Sequence, residues 1–398
     1  MADVLTVAPQ GNHRRLAVFL DGTWDEEDGN TNVWRSKCLC AATGKDAWEQ
    51  KVFYSKGLGT TLGEQVRGGV FGYGIDDVIV AAYEWLLETY EDRDEIFIFG
   101  FSRGAFTARS LSGFISRCGL IKLGSPLGVK QLYDRYRKGN LVSSIHELLE
   151  PPVKTPTSVE EKWMLAYCRP VPVKFTGVWD TVGSVAETNT PKLLTGGDHS
   201  FLDTNLRKSE TYVYHAMAID ENREDFDVTL LSQYVKQPAE PFKSPRSLAD
   251  VEQRWFVGAH GDVGGGSYND LLAQIPLRWL MTKASTHGLG FRQDVGIDDG
   301  AIMAPVEDSF ADFLKGTYQL WELGRRNYRP IGRDPQTAGD YVIHMINETI
   351  DGSAFDRWRG DASYRPKNLA DWAARRGVNI EDLHGSKQAA DPSQAAPD

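Results

Sequence analysis

An α/β fold, built on a doubly wound and mostly parallel sheet, is predicted by three features of this 398-residue chain. Short apolar runs recur, helical patterns stand between them, and the alternation continues across the first 290 residues. The runs are continuously apolar rather than alternating, as expected of strands covered on both faces.

The first run is Leu16 to Leu20, the second lies around Val52 to Tyr54, and the third is Ile96 to Phe99. Between the second and third, Ile75 to Tyr90 carries apolar residues at helical spacing. Asp76 and Asp77 fall in its first turn, where the helix dipole favours carboxylates. Strand, helix and strand imply a right-handed crossover. Val171 to Val178 and Trp255 to Val257 are two further strands. Between them His215 to Phe226 reads as a helix with a charged end, and Pro276 to Ala284 reads as another, with proline in its first turn.

The polar stretch from Gly124 to Trp163 has helical patterns at Val129 to Tyr136 and Ile145 to Leu149. It reads as an insertion, either a lid over a pocket or an extra surface helix pair. One catalytic domain over residues 15–384 is expected, after an N-terminal extension over 1–14. The tail from Gly385, poor in apolar residues, is expected to be disordered.

A net charge of -11 repels phosphate backbones at long range, which argues against a nucleic-acid partner. It does not argue against a lipid ester, because acyl chains are engaged by apolar surface, and transient contact with a membrane surface stays open. Cys38, Cys40, Cys118 and Cys168 match no zinc spacing and are too few for a disulfide framework. They read as reduced thiols. Met1 to Arg15 has no apolar signal core and no run is long enough to span a membrane, so the expected compartment is the cytoplasm. The glycine-rich stretch Gly57 to Gly74 holds neither a P-loop nor a dinucleotide fingerprint, so it reads as a structural loop and no cofactor is implied.

Gly100-Phe101-Ser102-Arg103-Gly104 follows directly on the third strand and runs into a helical pattern, Ala105 to Ile115. The pentapeptide alone is a weak signal; strand, sharp turn and helix around it make a nucleophile elbow. Such a turn exposes the Ser102 hydroxyl at the sheet edge, while Gly100 and Gly104 permit close backbone approach.

A serine nucleophile needs a base to take its proton and a carboxylate to orient that base. In the hydrolase chain order these follow as acid and then histidine, each behind a strand. Asp180 ends the apolar run through Val178 and Trp179. His260 follows Trp255 to Val257 and enters a glycine-dense loop. His215 is the rival base, and Asp262, two residues beyond His260, better suits a loop-stabilising role. Backbone N–H groups of Arg103 and of Gly22 or Thr23 are expected to form the oxyanion hole, with Gly57 to Thr60 as another source. Asp21 could organise that loop. In an alternative reading Asp21, Asp180, His260 and Asp262 hold a metal for hydrolysis. A second alternative is a catalytically silent hydrolase fold acting as a binding module.

Together these segments resemble an α/β-hydrolase domain family that includes the catalytic domains of type VI secretion phospholipase effectors. The matching stretches are Phe19 to Thr23, Gly69 to Gly74, Gly100 to Ala105, Gly177 to Val182 and Phe256 to Gly266. Ala216 to Glu221 and Tyr364 to Leu369 fit as well. The resemblance implies Ser102, His260 and Asp180 as the triad of a serine esterase or lipase-type hydrolase, with lipid or phospholipid acyl esters as substrate. Some effector members carry an additional membrane-binding module, for which 398 residues leave no room. The hydrolytic chemistry is therefore expected to transfer, and the toxin role is not.

Overall fold

The computed structural model describes residues 13–22, 29–57, 74–183, 206–207, 209–236, 244–267, 270–312, 324–383 and 387–390. Eight strands form the central sheet: β1 (Arg14–Leu20), β2 (Glu49–Ser55), β3 (Glu95–Phe101), β4 (Val173–Trp179), β5 (Glu210–Ala218), β6 (Val251–Phe256), β7 (Glu348–Asp351) and β8 (Lys387–Ala389). Their spatial order is β8-β7-β6-β5-β4-β3-β1-β2. Every neighbouring pair is parallel except β7 and β8.

Helices cover both faces, which is why the strands are apolar throughout. In β1 and β3, Leu16, Val18, Leu20, Ile96 and Ile98 face one layer. That layer is α2 (Ile75–Thr89) and α3 (Arg103–Cys118), through Ile79, Leu86, Leu111 and Phe114. The alternate residues Ala17, Phe19, Phe97 and Phe99 turn to α1 (Asn32–Leu39) and α8 (Gln274–Thr286), meeting Val33, Leu277 and Leu280. Each buried phenylalanine here contributes about 1.5–3 kcal/mol relative to exposure. A third cluster joins β5, β6 and β7 to α9 (Gly352–Gly360) and α10 (Lys367–Arg376) through Met217, Trp255, Ile350, Phe355 and Trp372.

The stretch 124–163 forms α4 (Val129–Arg137), α5 (Ile145–Leu149) and the first part of α6 (Val159–Tyr167). Its Leu132, Tyr133, Tyr136, Ile145 and Leu148 are buried in the same cluster as the apolar faces of α2 and α3. That packing accounts for its apolar positions.

Two expectations are corrected. His215 to Phe226 is not a helix: its first residues complete β5, and only Glu224–Phe226 makes a single 3-10 turn. Ala216, Met217 and Ala218 are good helix formers, but pairing with β4 on one side and β6 on the other overrides that preference. The tail is not disordered from residue 385. Lys387–Ala389 pairs with β7, Ala390 is fully buried, and the Ala390 carbonyl accepts hydrogen bonds from Trp372 (2.9 Å) and Arg376 (3.0 Å).

The strand order reverses beside β1: β2 lies on one side of it and β3 on the other. Crevices at the carboxyl ends of strands beside such a reversal are the usual ligand sites of open α/β sheets. Ser102 follows β3 at that edge.

Candidate active site

The site is assembled by strand register. Phe101 is paired with Trp179, and Trp179 with Ala216, so the next residues, Ser102 and Asp180, leave adjacent strands side by side. The ladder continues one step further: the Ser102 N–H donates to the Trp179 carbonyl (3.1 Å) and the Asp180 N–H to that of Ala216 (2.7 Å). Both residues have positive φ, 58° at Ser102 and 38° at Asp180. Such backbone is costly for a side chain with a Cβ, and it is held here by the surrounding ladder.

The tight turn depends on its glycines. A Cβ on Gly100 would lie 2.3 Å from the Gly104 carbonyl oxygen, and one on Gly104 only 2.2 Å from that of Leu20. The start of α3 thus rests directly on the end of β1. Ser102 is nearly buried, with its carbonyl accepting the Ala105 and Phe106 N–H groups as α3 begins.

His260 reaches the site at the start of α7 (His260–Gly264), four residues beyond β6. Its Nε2 lies 2.9 Å from Ser102 Oγ, and its Nδ1 lies 2.6 Å from Asp180 Oδ2. Phe101 and Phe226 flank the imidazole, with ring centroids 4.6 and 5.2 Å away. The three residues expected from sequence are therefore in one hydrogen-bonded line. The neutral tautomer that fits this line carries its proton on Nδ1 toward Asp180 and presents Nε2 as the acceptor for the serine hydroxyl.

Sequence reasoning missed two charged residues here. Arg329 is fully buried and grips Asp180 with both arms, Nη1 to Oδ1 at 2.7 Å and Nη2 to Oδ2 at 3.0 Å. Burial alone would raise the Asp180 carboxyl, but the Arg329 charge and the His260 hydrogen bond outweigh it and hold the group well below the ordinary carboxylate range. Glu221 accepts the His260 backbone N–H (3.2 Å), the Ser309 hydroxyl (2.9 Å) and a two-armed contact from Arg223. Burial opposes its ionisation too, yet the Arg223 contact draws it down to about 2. Glu221 lies within the stretch Ala216 to Glu221 noted above; Arg329 stands in no pattern.

His215 is not a base in this site. It is fully buried on β5, and its Nε2 accepts the Thr181 N–H at 3.1 Å. Burial, then the nearby Arg109 charge, pushes it down to about 3, so it stays neutral.

Asp21 follows β1 and accepts the Gly22 N–H (2.9 Å), the Thr31 hydroxyl (2.7 Å) and the Tyr54 hydroxyl (3.0 Å). Thr31 also caps α1. Asp21 thus organises its loop, and it commits the Gly22 N–H to itself rather than to an oxyanion. Thr23 and residues 58–60 lie outside the described residues. Arg103 opens α3, with its N–H in the first turn, outside the intrahelical ladder. Among the described residues no group of three or more His, Cys, Asp or Glu is arranged to hold a metal ion. Asp21, Asp180 and Asp262 each satisfy separate partners instead.

Asp262 does hold its loop: Oδ2 accepts the Ala259 and Glu307 N–H groups, both at 2.9 Å. Nearby Asp220 accepts the Gly258 N–H (2.7 Å) and the Tyr364 hydroxyl (3.0 Å). Burial pushes both carboxyls up to about 6 from the usual 3.8, against those hydrogen bonds. The folded state therefore holds these protons more tightly than the unfolded chain. That stabilisation is complete below about pH 4 and is lost as pH rises through 6. Asp262→Asn keeps an acceptor oxygen and removes the buried charge. It should match the wild type at pH 4 and exceed it at pH 8 by on the order of 1–2 kcal/mol. Urea unfolding at the two pH values reads the difference; a variant weaker than wild type at pH 8 would show that the ionised form is needed.

A mostly parallel α/β sheet with a serine, histidine and aspartate in line at its carboxyl edge defines a hydrolase-like architecture. Residues 14–283 match the family described as the type VI secretion phospholipase effector Tle1-like catalytic domain, and the chain belongs to that family. It is also similar to the uncharacterised protein YEL023C of Saccharomyces cerevisiae, 30% identical over 198 residues. That match covers 46% of this chain and 27% of the yeast protein, so the chain spans only about a quarter of that relative. Among solved structures it resembles an uncharacterised protein from Pseudomonas aeruginosa, with a TM-score of 0.45 and 16% identity, over 78% of this chain and 50% of that one. It also resembles the Tle1 effector bound to the VgrG spike of the type 6 secretion system, with a TM-score of 0.37 and 17% identity, over 65% and 52% of the two chains. No described helix is long and apolar enough to cross a membrane.

Proposed function

We propose that the chain is a serine hydrolase that cleaves carboxylic esters, with phospholipid acyl esters as the favoured substrate. The observation that carries this reading is the unbroken line from Ser102 Oγ to His260 Nε2 (2.9 Å) and from His260 Nδ1 to Asp180 Oδ2 (2.6 Å). Membership of a phospholipase effector family supports the choice of a lipid ester.

Ser102 Oγ attacks the ester carbonyl carbon while His260 Nε2 takes the hydroxyl proton. Asp180 holds the imidazole in place and stabilises the charge it gains. The tetrahedral oxyanion is met by the Arg103 N–H at the start of α3, a donor of a kind that lowers the barrier by about 3–4 kcal/mol. Collapse expels the alkoxide, which receives the proton from His260 and leaves as alcohol. Water, deprotonated by the same histidine, then attacks the acyl-enzyme; the products are a carboxylic acid and free Ser102.

The test is covalent labelling with a fluorophosphonate probe at neutral pH, with Ser102→Ala alongside. Wild-type labelling that disappears in the variant is the expected result. Equal labelling of both proteins, or none of the folded wild type, would overturn the proposal.

A further inference from the structure

We propose that Arg329 is a positioning residue for this hydrolysis: by clamping both oxygens of Asp180 it fixes the carboxylate and shares its charge. The imidazole, bonded to that carboxylate through Nδ1, is thereby kept with Nε2 facing Ser102. The inference rests on the serine-hydrolase reading above.

Four donors converge on Asp180. Oδ1 accepts the Ala218 N–H (3.0 Å) and Arg329 Nη1 (2.7 Å); Oδ2 accepts His260 Nδ1 (2.6 Å) and Arg329 Nη2 (3.0 Å). Arg329 is itself fixed. Its Nη1 also donates to the Ala218 carbonyl (3.1 Å), and its Nη2 donates to the carbonyl of Phe226, the residue whose ring packs edge-on against His260. The Arg329 carbonyl accepts Asn368 Nδ2 (3.1 Å), which also bonds the Ile219 carbonyl (2.7 Å). Helix α10 therefore holds the clamp in place from behind.

Orientation and charge both follow. A carboxylate with only a histidine to bind could rotate; a two-armed arginine removes that freedom. An unshared carboxylate beside an imidazole also stabilises the imidazolium strongly, whereas one already paired with a guanidinium stabilises it less. The other charges around the imidazole come from separate elements. Asp220 and Glu221 follow β5, Arg223 pairs with Glu221, Asp262 lies on α7, and Glu307 approaches the Asp262 loop. All of them remain when Arg329 is replaced, so a change on replacement reports Arg329.

The experiment is the pH dependence of kcat/KM for a p-nitrophenyl ester, and of fluorophosphonate inactivation, in the wild type, Arg329→Gln and Arg329→Lys. Arg329→Gln is expected to move the acid limb upward, because the carboxylate is then no longer shared with a guanidinium. Arg329→Lys, which keeps the charge but loses the fork, should leave the limb in place and lower kcat with KM unchanged. A folded Arg329→Gln protein whose acid limb does not move would overturn the proposal, since a purely structural role predicts fewer folded molecules with an unaltered profile. Should the glutamine variant not fold, an Arg329→Lys protein that raises KM at constant kcat overturns it equally. Ser102→Ala separates the two levels. Activity that survives it defeats the hydrolase reading, whereas Ser102-dependent turnover with an immobile limb defeats only the role of Arg329.

Discussion

Asp180→Asn should lower kcat for ester hydrolysis by about four orders of magnitude and weaken the fold by about 3–5 kcal/mol. Both losses have one origin. The four groups that meet this carboxylate, the Ala218 N–H, His260 and the two arms of Arg329, all point donors at it. An amide would have to turn its NH2 toward one of those pairs, setting donor against donor, and a fully buried guanidinium would be left without its countercharge. The two effects are separable. Adding Arg329→Met to Asp180→Asn removes the stranded charge and should restore much of the urea midpoint, while kcat stays low because nothing orients His260. Recovery of turnover in the double variant would mean that Asp180 serves only to neutralise Arg329.

The second large effect is expected at Gly104. An alanine methyl would sit 2.2 Å from the Leu20 carbonyl oxygen and 2.5 Å from that of Asp21, both of them backbone atoms at the end of β1. No side-chain rotation relieves such a contact, so α3 must lift from the sheet and take the Ser102 turn with it. Overpacking in a rigid place costs about 3 kcal/mol or more. Gly104→Ala is expected to lose that much stability in chemical denaturation and to lose fluorophosphonate labelling in whatever fraction folds. Gly296→Ala is the control, because a Cβ in that exposed loop meets nothing within 4 Å, and it should stay within about 0.5 kcal/mol of wild type. An unperturbed Gly104→Ala protein would refute the close approach of α3 to β1.

The contrast between Ser102 and Arg329 shows what could be read in the sequence. Ser102 was legible because its strand, turn and helix are consecutive, so periodicity and glycine spacing report them together. Asp180 and His260 were legible for a related reason: each closely follows an apolar run, and parallel register gathers strand ends at one edge. Arg329 lies 149 residues beyond its partner and joins it through tertiary packing alone. No local pattern marks an arginine destined for a buried carboxylate. Glu221 was visible only as part of a short familiar stretch. The misread segment before it failed on the same physics: Ala216, Met217 and Ala218 favour a helix, and two flanking strands decide otherwise. At β8 the weak apolar signal of Lys387–Ala389 hid a strand secured mainly by backbone pairing and by the burial of Ala390.

The reach of α10 to the Asp180 clamp also gives the site an order in time. A ribosome delivers Ser102 first, then Asp180, His260 and Arg329, and Asn368 after them. The 149 residues from Asp180 to Arg329 take roughly 7–30 seconds at typical rates of synthesis. Through that interval the growing chain carries the serine, while the acid that must orient its base has no clamp. On the proposed chemistry, a chain that stops short of Arg329 and α10 keeps Ser102 but lacks the clamp, and should hydrolyse esters poorly.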